Sequence, residues 1–204
     1  MSSDEIHLVA PEEPLETPRL LLEPLSPAHA PGLYEHLHDD ERLYRFIPQD
    51  PPTSPRALED RYRLLSSRRS PDGQEAWLNW AVRERSSGAY AGTLETTVSK
   101  NSTATIAYTV FVPYQRRGIA AEACGRLLEH LFEGYRVGVV AAEIDTRNVA
   151  SVALVESLGF RRVAFEKDVD HFKGSSSDEY RYEIGEGVWR EERAGSGGQD
   201  PTRC

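Results

Sequence analysis

Ile106-Ala107-Tyr108-Thr109-Val110-Phe111-Val112-Pro113-Tyr114-Gln115-Arg116-Arg117-Gly118-Ile119-Ala120 is the stretch on which the reading of the fold turns. Ile106, Tyr108, Val110 and Val112 alternate at the period of a strand, the strongest such run in the chain. After Pro113 the period changes. Ile119, Ala123, Leu127 and Leu131 recur at helical spacing, with Glu122, Arg126, Glu129 and Glu133 opposite them. The junction, Gln115-Arg116-Arg117-Gly118-Ile119-Ala120, is therefore a strand-to-helix turn. A helix start presents unpaired N–H groups and the positive end of its dipole, which together can hold a pyrophosphate. Gly118 permits close approach of the backbone or a positive φ, and Arg116 and Arg117 can add charge-assisted contacts. Any strand-to-helix turn can carry Arg and Gly, so a second observation is needed.

Downstream, Val139 to Ile144 reads as a buried strand, and strand, helix, strand in that order implies a right-handed parallel crossover. Asn148-Val149-Ala150-Ser151 opens the next helix, with Asn148 suited to the N-cap and Val152 and Val155 on one face. Gly159 ends it at a left-handed position, with Phe160 folding back. Both helix starts then lie at the carboxyl ends of their strands, where open α/β sheets bind ligands. Plain capping by Asn148 and a small first-turn residue at Ser151 are the structural alternatives. Val163 and Phe165, then Tyr180, Tyr182 and Ile184, complete the alternating runs.

Upstream, Leu20, Leu22 and Leu25 mark a short strand. Ser26-Pro27 and Ser54-Pro55 each begin a helix, with Leu33 and Leu37 inward on the first and Leu58, Tyr62 and Leu65 on the second. Leu78, Trp80 and Val82, then Leu94, Thr96 and Val98, precede the decisive strand in an antiparallel meander. The expected fold is mixed α/β: a meander joined to a β-α-β unit. One domain spans residues 17–186, between a flexible arm at 1–16 and a flexible tail at 187–204.

The chain has 204 residues and a formal net charge of −9, which argues against non-specific nucleic-acid binding. The same acidity suits a cationic amine substrate and, equally, plain solubility. No apolar run reaches membrane-spanning length, and Met1-Ser2-Ser3-Asp4-Glu5 lacks a basic start and an apolar core, so a cytoplasmic protein is expected. Cys124 and Cys204 stand too far apart for a disulfide framework, and Cys124 reads as a buried inert thiol. His36, His38 and Asp39 read as a polar helix end, and no metal is expected. Neither a Walker lysine motif nor Gly-x-Gly-x-x-Gly is present, which sets aside a nucleotide-binding enzyme.

Taken together, the two helix starts resemble the GNAT acetyltransferases. That family's Gln/Arg-x-x-Gly-x-Gly/Ala turn is matched by Gln115, Gly118 and Ala120. Its Asn-x-x-Ser/Ala and Leu-Gly-Phe elements are matched by Asn148, Ser151 and Leu158-Gly159-Phe160. Thr17-Pro18-Arg19-Leu20, Pro113-Tyr114-Gln115 and Ala121-Glu122-Ala123 resemble the RimJ/RimL-type branch, which acetylates protein N-termini, as does Asp178 ahead of Tyr182. The likeness covers nearly all of residues 17–185.

The resemblance implies a splayed pair of strands holding the pantetheine of acetyl-CoA, with amides pairing near Val110, Phe111 and Val112. It implies a pyrophosphate held at Gln115, Arg116, Arg117, Gly118, Ile119 and Ala120, with Asn148 and Ser151 completing the cofactor site. An uncharged amine would attack the thioester directly. The helix tyrosine of many members falls at Val155, so the acid for the thiolate is assigned to Ser151. The base is assigned to Asp170, with His171 as a second pocket candidate. The family's Glu-Ile-Gly-Tyr strand reads Thr105-Ile106-Ala107-Tyr108, so the strand carboxylate is missing. The expected acceptor is an amine-bearing small molecule or a protein N-terminus, and a homodimer is compatible with the sequence. The competing reading is a non-catalytic acyl-CoA-binding or regulatory module, which thiol release against a panel of amines would distinguish.

Overall fold

In the computed structural model, residues 13–196 are described, and they build an eight-stranded sheet in the order β1-β2-β3-β4-β5-β6-β8-β7. The strands are β1 (Leu15–Glu16), β2 (Leu20–Pro24), β3 (Glu75–Glu84), β4 (Tyr90–Ser99), β5 (Thr103–Val110), β6 (Val139–Asp145), β7 (Arg161–Phe172) and β8 (Ser175–Gly185). The helices are α1 (Ala30–His38), α2 (Pro55–Leu65), α3 (Ile119–Glu129), α4 (Val149–Ser157) and α5 (Glu186–Ser196). No helix among the described residues is long and apolar enough to cross a membrane.

The helix starts form for the reasons their sequences supply. Ser54 caps α2 by accepting the Ala57 N–H at 3.1 Å, with Pro55 inside the first turn. Ser26 opens a 3-10 turn, Pro27–His29, that runs into α1. Gly159 takes φ +88°, and the Phe160 and Gly159 N–H groups bond to the carbonyls of Val155 and Glu156 at 3.0 and 3.1 Å, a Schellman close to α4.

Side-chain alternation divides the sheet into two covered faces. Leu20, Leu22, Trp80, Val82, Leu94, Ile106, Val140 and Ile144 pack with α3, α4 and α5 in the larger core. Ala81 faces the other way, into a smaller cluster with Leu33, Leu58, Tyr62 and Phe111 beneath α1 and α2. β1 to β5 are antiparallel neighbours, whereas β5 and β6 run parallel and pair only at Thr103–Val139, Ala104–Val140 and Thr105–Ala141. β6 continues against β8 as far as Asp145–Glu179. From Ile106 onward β5 has therefore lost its β6 neighbour, and a gap opens between the two strands.

Three boundaries differ from the sequence expectation. β5 stops at Val110 rather than Val112, because Pro113, which has no N–H, sits inside a 3-10 turn, Val112–Tyr114, closed by Tyr114 N–H to the Phe111 carbonyl at 2.8 Å. Leu15 and Glu16, assigned to a flexible arm, pair with β2, and Leu15 is buried. The tail assigned to 187–204 instead begins with α5, which buries Trp189 against Phe132 at a ring separation of 5.1 Å. Trp189 and ion pairs from Arg193 to Glu129 and Glu133 at 2.9 and 3.7 Å and from Glu192 to Arg161 at 3.8 Å anchor that helix, too sparse an apolar pattern to show as a period. Cys204 lies outside the described residues.

Candidate active site

The turn from β5 into α3 is shaped by two left-handed residues, Arg116 at φ 61° and Gly118 at φ 75°. Gly118 is the N-cap of α3, and its carbonyl accepts the Glu122 N–H at 3.1 Å as the first helical bond. The N–H groups of Ile119 to Ala121 precede any i−4 carbonyl partner, and those of Arg116 to Gly118 have no acceptor among the described residues. A left-handed bend followed by free helix-start amides forms a concave nest for an anion. The turn is also braced from outside. Arg19 donates through Nη1 to the Arg117 carbonyl at 3.0 Å and through Nε to Glu122 Oε2 at 2.5 Å. Glu122 Oε1 accepts from the Arg19 N–H at 3.0 Å and from Thr17 Oγ1 at 2.5 Å. Burial works to raise the Glu122 carboxyl, but the bonds from Thr17 and Arg19 outweigh it and hold it below its usual value. Arg117 pairs with Glu84 at 2.6 Å and lies over the Tyr114 ring, while Arg116 is exposed.

The residues named for pantetheine divide. Phe111 donates its N–H to the Ala91 carbonyl at 2.9 Å, so odd-numbered residues of β5 point their backbone toward β4 and even-numbered ones toward the gap. Val110 thus offers its N–H to the gap, and its carbonyl is held by Gln115 Nε2 at 2.9 Å. Phe111 offers nothing there: both its backbone groups are bonded and its ring is buried. The carbonyl of Val112 accepts the Gln115 N–H at 3.3 Å within the turn. Val110 keeps a backbone N–H for the expected pairing, whereas the N–H and carbonyl of Phe111 are already taken by Ala91 and Tyr114.

At the second helix start, Asn148 Oδ1 accepts the Ser151 N–H at 3.2 Å, so its amide side chain is occupied as the cap of α4. Ser151 is half-buried. Tyr108, reaching from β5 toward α4, donates its phenol to the Ser151 carbonyl at 3.3 Å, and burial pushes that phenol's pKa up. The position filled in many GNAT enzymes by tyrosine is the fully buried Val155. Cys124 is likewise fully buried, its thiol pushed up to about 12 by burial.

Asp170, the expected base, is exposed to solvent. It lies on β7, the edge strand, beyond a bulge at Asp168 (φ 53°), and accepts its own neighbour's N–H, that of His171, at 2.7 Å. His171 is exposed as well. The arm they belong to has a different contact: Lys173, at the β7–β8 turn, donates through Nζ to the carbonyls of Ile47 and Gln49 at 2.8 and 3.0 Å. His36 and His38 are taken up by packing, His36 stacked on Phe111 at 4.6 Å and His38 Nδ1 near the Pro52 carbonyl at 2.9 Å.

A cavity of about 400 Å³ lies on the α1–α2 side of the sheet. Its floor is Thr93, Glu95, Ala107 and Thr109, two cross-strand pairs of β4 and β5 that share a face. Its walls include Tyr44, Ile47, Leu58 and Tyr62, and Arg61 Nη2 stands 3.9 Å from Glu95 Oε2. Burial, with opposite contributions from Arg61 and Glu95, pushes the Tyr44 phenol up to about 12. The cavity reaches β5 at residues 107–109, one position before Val110. The sequence reading passed over Glu95 and Arg61. The available signal was the alternation itself: with Leu94 and Thr96 inward on one face, Glu95 must project on the other, toward α2.

A parallel pair that parts midway, a helix start with unpartnered amides and a cavity are brought together along β5. The family model for the acetyltransferase (GNAT) domain matches residues 19–161, and the chain belongs to that family of acetyl-CoA-dependent acetyltransferases. It is 23% identical to an uncharacterized N-acetyltransferase, p20, of Bacillus licheniformis, over 84% of this chain and 96% of that one. Among solved structures it resembles ribosomal-protein-S5-alanine acetyltransferase from Vibrio fischeri (TM-score 0.75, 16% identity, 87% of this chain and 98% of that one). It also resembles spermidine N-acetyltransferase from Vibrio cholerae in complex with CoA and spermine (TM-score 0.73, 18% identity, 85% and 99%). Those two proteins are named for a protein acceptor and a polyamine acceptor, so the shared fold does not select the amine.

Proposed function

We propose that this protein is a cytoplasmic N-acetyltransferase that moves the acetyl group of acetyl-CoA to a primary amine held in the cavity over Thr93, Glu95, Ala107 and Thr109. The observation that carries this reading is the adjacency of cavity and gap on β5: residues 107–109 line the first, and the Val110 N–H faces the second. Acetyl-CoA supplies the activated acyl carbon. The chain's own contribution is positional. The amides from Arg117 to Ala120 would hold the pyrophosphate, and the Val110 N–H would pair with the pantetheine arm or polarise the thioester carbonyl. The Ser151 hydroxyl, in the first turn of α4, would donate to the departing thiolate, with Tyr108, bonded to the Ser151 carbonyl, as a protonated neighbour. The RimJ/RimL-type likeness belongs to this proposal as a statement about scaffold, resting on the Thr17-Pro18-Arg19-Leu20 lead-in and its contact with Glu122.

The test is thiol release from acetyl-CoA against small amines, polyamines and short peptides, run beside CoA binding by calorimetry. Turnover with at least one amine is expected. Ser151→Ala should lower kcat about 10- to 1000-fold with little change in CoA affinity. CoA binding without release from any amine would favour the competing reading, a regulatory acyl-CoA-binding module.

A further inference from the structure

Glu95 and Arg61 present opposite charges side by side at the floor of the cavity, and nothing in the donor site requires them. Their separation of 3.9 Å is long for a bonded pair, and their side chains are 47% and 52% exposed. A pair so loose and so wet contributes little to stability and can exchange partners at small cost. The surrounding wall is largely apolar, with Tyr62, Leu58 and Ile47 around the charges. Asp50, the other acidic lining group, sits on an exposed loop segment.

We infer that the acceptor is a free α-amino acid with an apolar side chain, its ammonium on Glu95 and its carboxylate on Arg61. This rests on the acetyltransferase reading above and narrows it to one substrate class. The argument is geometric. An α-amino acid carries its ammonium and carboxylate on a single carbon, so its two charges match an anion and a cation that lie a few ångströms apart. Each forms a charge-assisted bond in place of the weak Arg61–Glu95 contact. A peptide N-terminus has a neutral carbonyl where the carboxylate would be and leaves Arg61 unanswered. A polyamine brings a second cation toward Arg61, which is repulsive. The apolar wall gives the side chain its place, and a cavity of about 400 Å³ is of a size that takes such a molecule.

Glu95 also supplies the base. It accepts one proton from the ammonium and passes it to solvent. The freed amine attacks the thioester carbonyl carbon, the C–N bond forms and the C–S bond breaks. The second nitrogen proton leaves as the amide forms, and the thiolate takes up one proton, giving N-acetyl amino acid and CoA thiol.

Four acceptors test the assignment with acetyl-CoA and the full chain: leucine, leucinamide, isoamylamine and a leucine-initiated tripeptide. Leucine should exceed the other three in kcat/KM by about 10- to 100-fold, the range of one lost bond to a charged group. Arg61→Gln should shrink that ratio toward one by raising KM for leucine. Glu95→Gln should lower kcat for leucine by about 100-fold or more and move the activity to higher pH, where the free amine is abundant without a base. Unchanged melting temperature and CoA affinity would show that both variants are folded. If CoA binds but no amine, polyamine or peptide releases thiol, the acetyltransferase reading falls and this assignment with it. If leucinamide or the tripeptide matches leucine, or if Arg61→Gln leaves the ratio intact, the amino-acid assignment alone is overturned.

Discussion

The turn proposed for the donor and the cavity proposed for the acceptor lie on neighbouring stretches of the same strand and are built by opposite strategies. The donor turn uses backbone: helix-start amides, two left-handed residues and the Val110 N–H, all within residues 110–121. The cavity uses side chains brought from four separate segments: Tyr44 in the 3-10 turn Glu41–Tyr44, Arg61 and Tyr62 on α2, Glu95 on β4 and Thr109 on β5. A backbone site constrains residue types only where conformation demands it, as at Gly118. A side-chain site can change its chemistry through single substitutions without disturbing the sheet.

The sharpest way to break the comparison is at Gly118. A Cβ there would stand 3.3 Å from Arg19 Nη2 at φ +75°, and a carboxylate would oppose the anion the turn is proposed to hold. Gly118→Asp should weaken CoA binding about 100-fold, through strain and lost bonds to a charged ligand. Gly118→Ala, carrying the strain alone, should fall between the variant and the wild type. Calorimetry with CoA reads both, and equal affinity for all three proteins would remove the pyrophosphate from this turn.

A smaller effect is expected from the brace. Arg19 is 54% exposed on its side chain, so its ion pair with Glu122 carries little energy by itself, but its bond to the Arg117 carbonyl fixes the turn's geometry. Arg19→Ala should raise the Kd for CoA about three- to tenfold, the value of one net hydrogen bond, while the acceptor KM stays put. A change in acceptor KM of the same size would mean that the brace supports the sheet as a whole. The donor turn would then be no more local than the cavity.

Most of the architecture was legible because it is written in periods and caps. The alternation of Ile106, Tyr108 and Val110, the helical spacing from Ile119, and Ser54-Pro55 each specify an element through short-range physics. Glu122 shows the first limit: its place on the polar face of α3 is local, but its partnership with Thr17 and Arg19 spans more than a hundred residues of chain. Asp170 shows the second. Its distance along the chain from Gly159-Phe160 suited a base, but the bulge between Glu166 and Asp170 shifts the register and leaves its carboxylate exposed. Glu95 shows the third. Nothing in its neighbours announces chemistry, because its meaning comes from Arg61 on a helix laid across it.

The smallest effect concerns the far end of α3, where the donor helix widens into a π turn, His130–Gly134. The His130 ring packs edge-on against Trp80 at 5.9 Å and near Tyr135 at 5.5 Å. Burial, reinforced by the positive charges of Arg126 and Arg68, lowers its pKa from the ordinary value near 6.5. The folded protein therefore binds this proton less readily than the unfolded chain. Above about pH 6.5 neither state carries it and the group has no effect. As pH falls below that value the unfolded chain takes up the proton first, so stability declines until the folded-state pKa is passed, at no more than about 1.4 kcal/mol per pH unit. His130→Gln should flatten the dependence of melting temperature on pH as pH falls below about 6.5, with little change above 7. The difference between wild type and variant removes the contribution of the other histidines. Adding saturating CoA should raise the melting temperature of both proteins by similar amounts, since the turn proposed to hold it begins the helix and His130 ends it. A CoA-induced shift that itself depended on His130 would couple the two ends of α3, and the donor site could no longer be treated as a property of its turn alone.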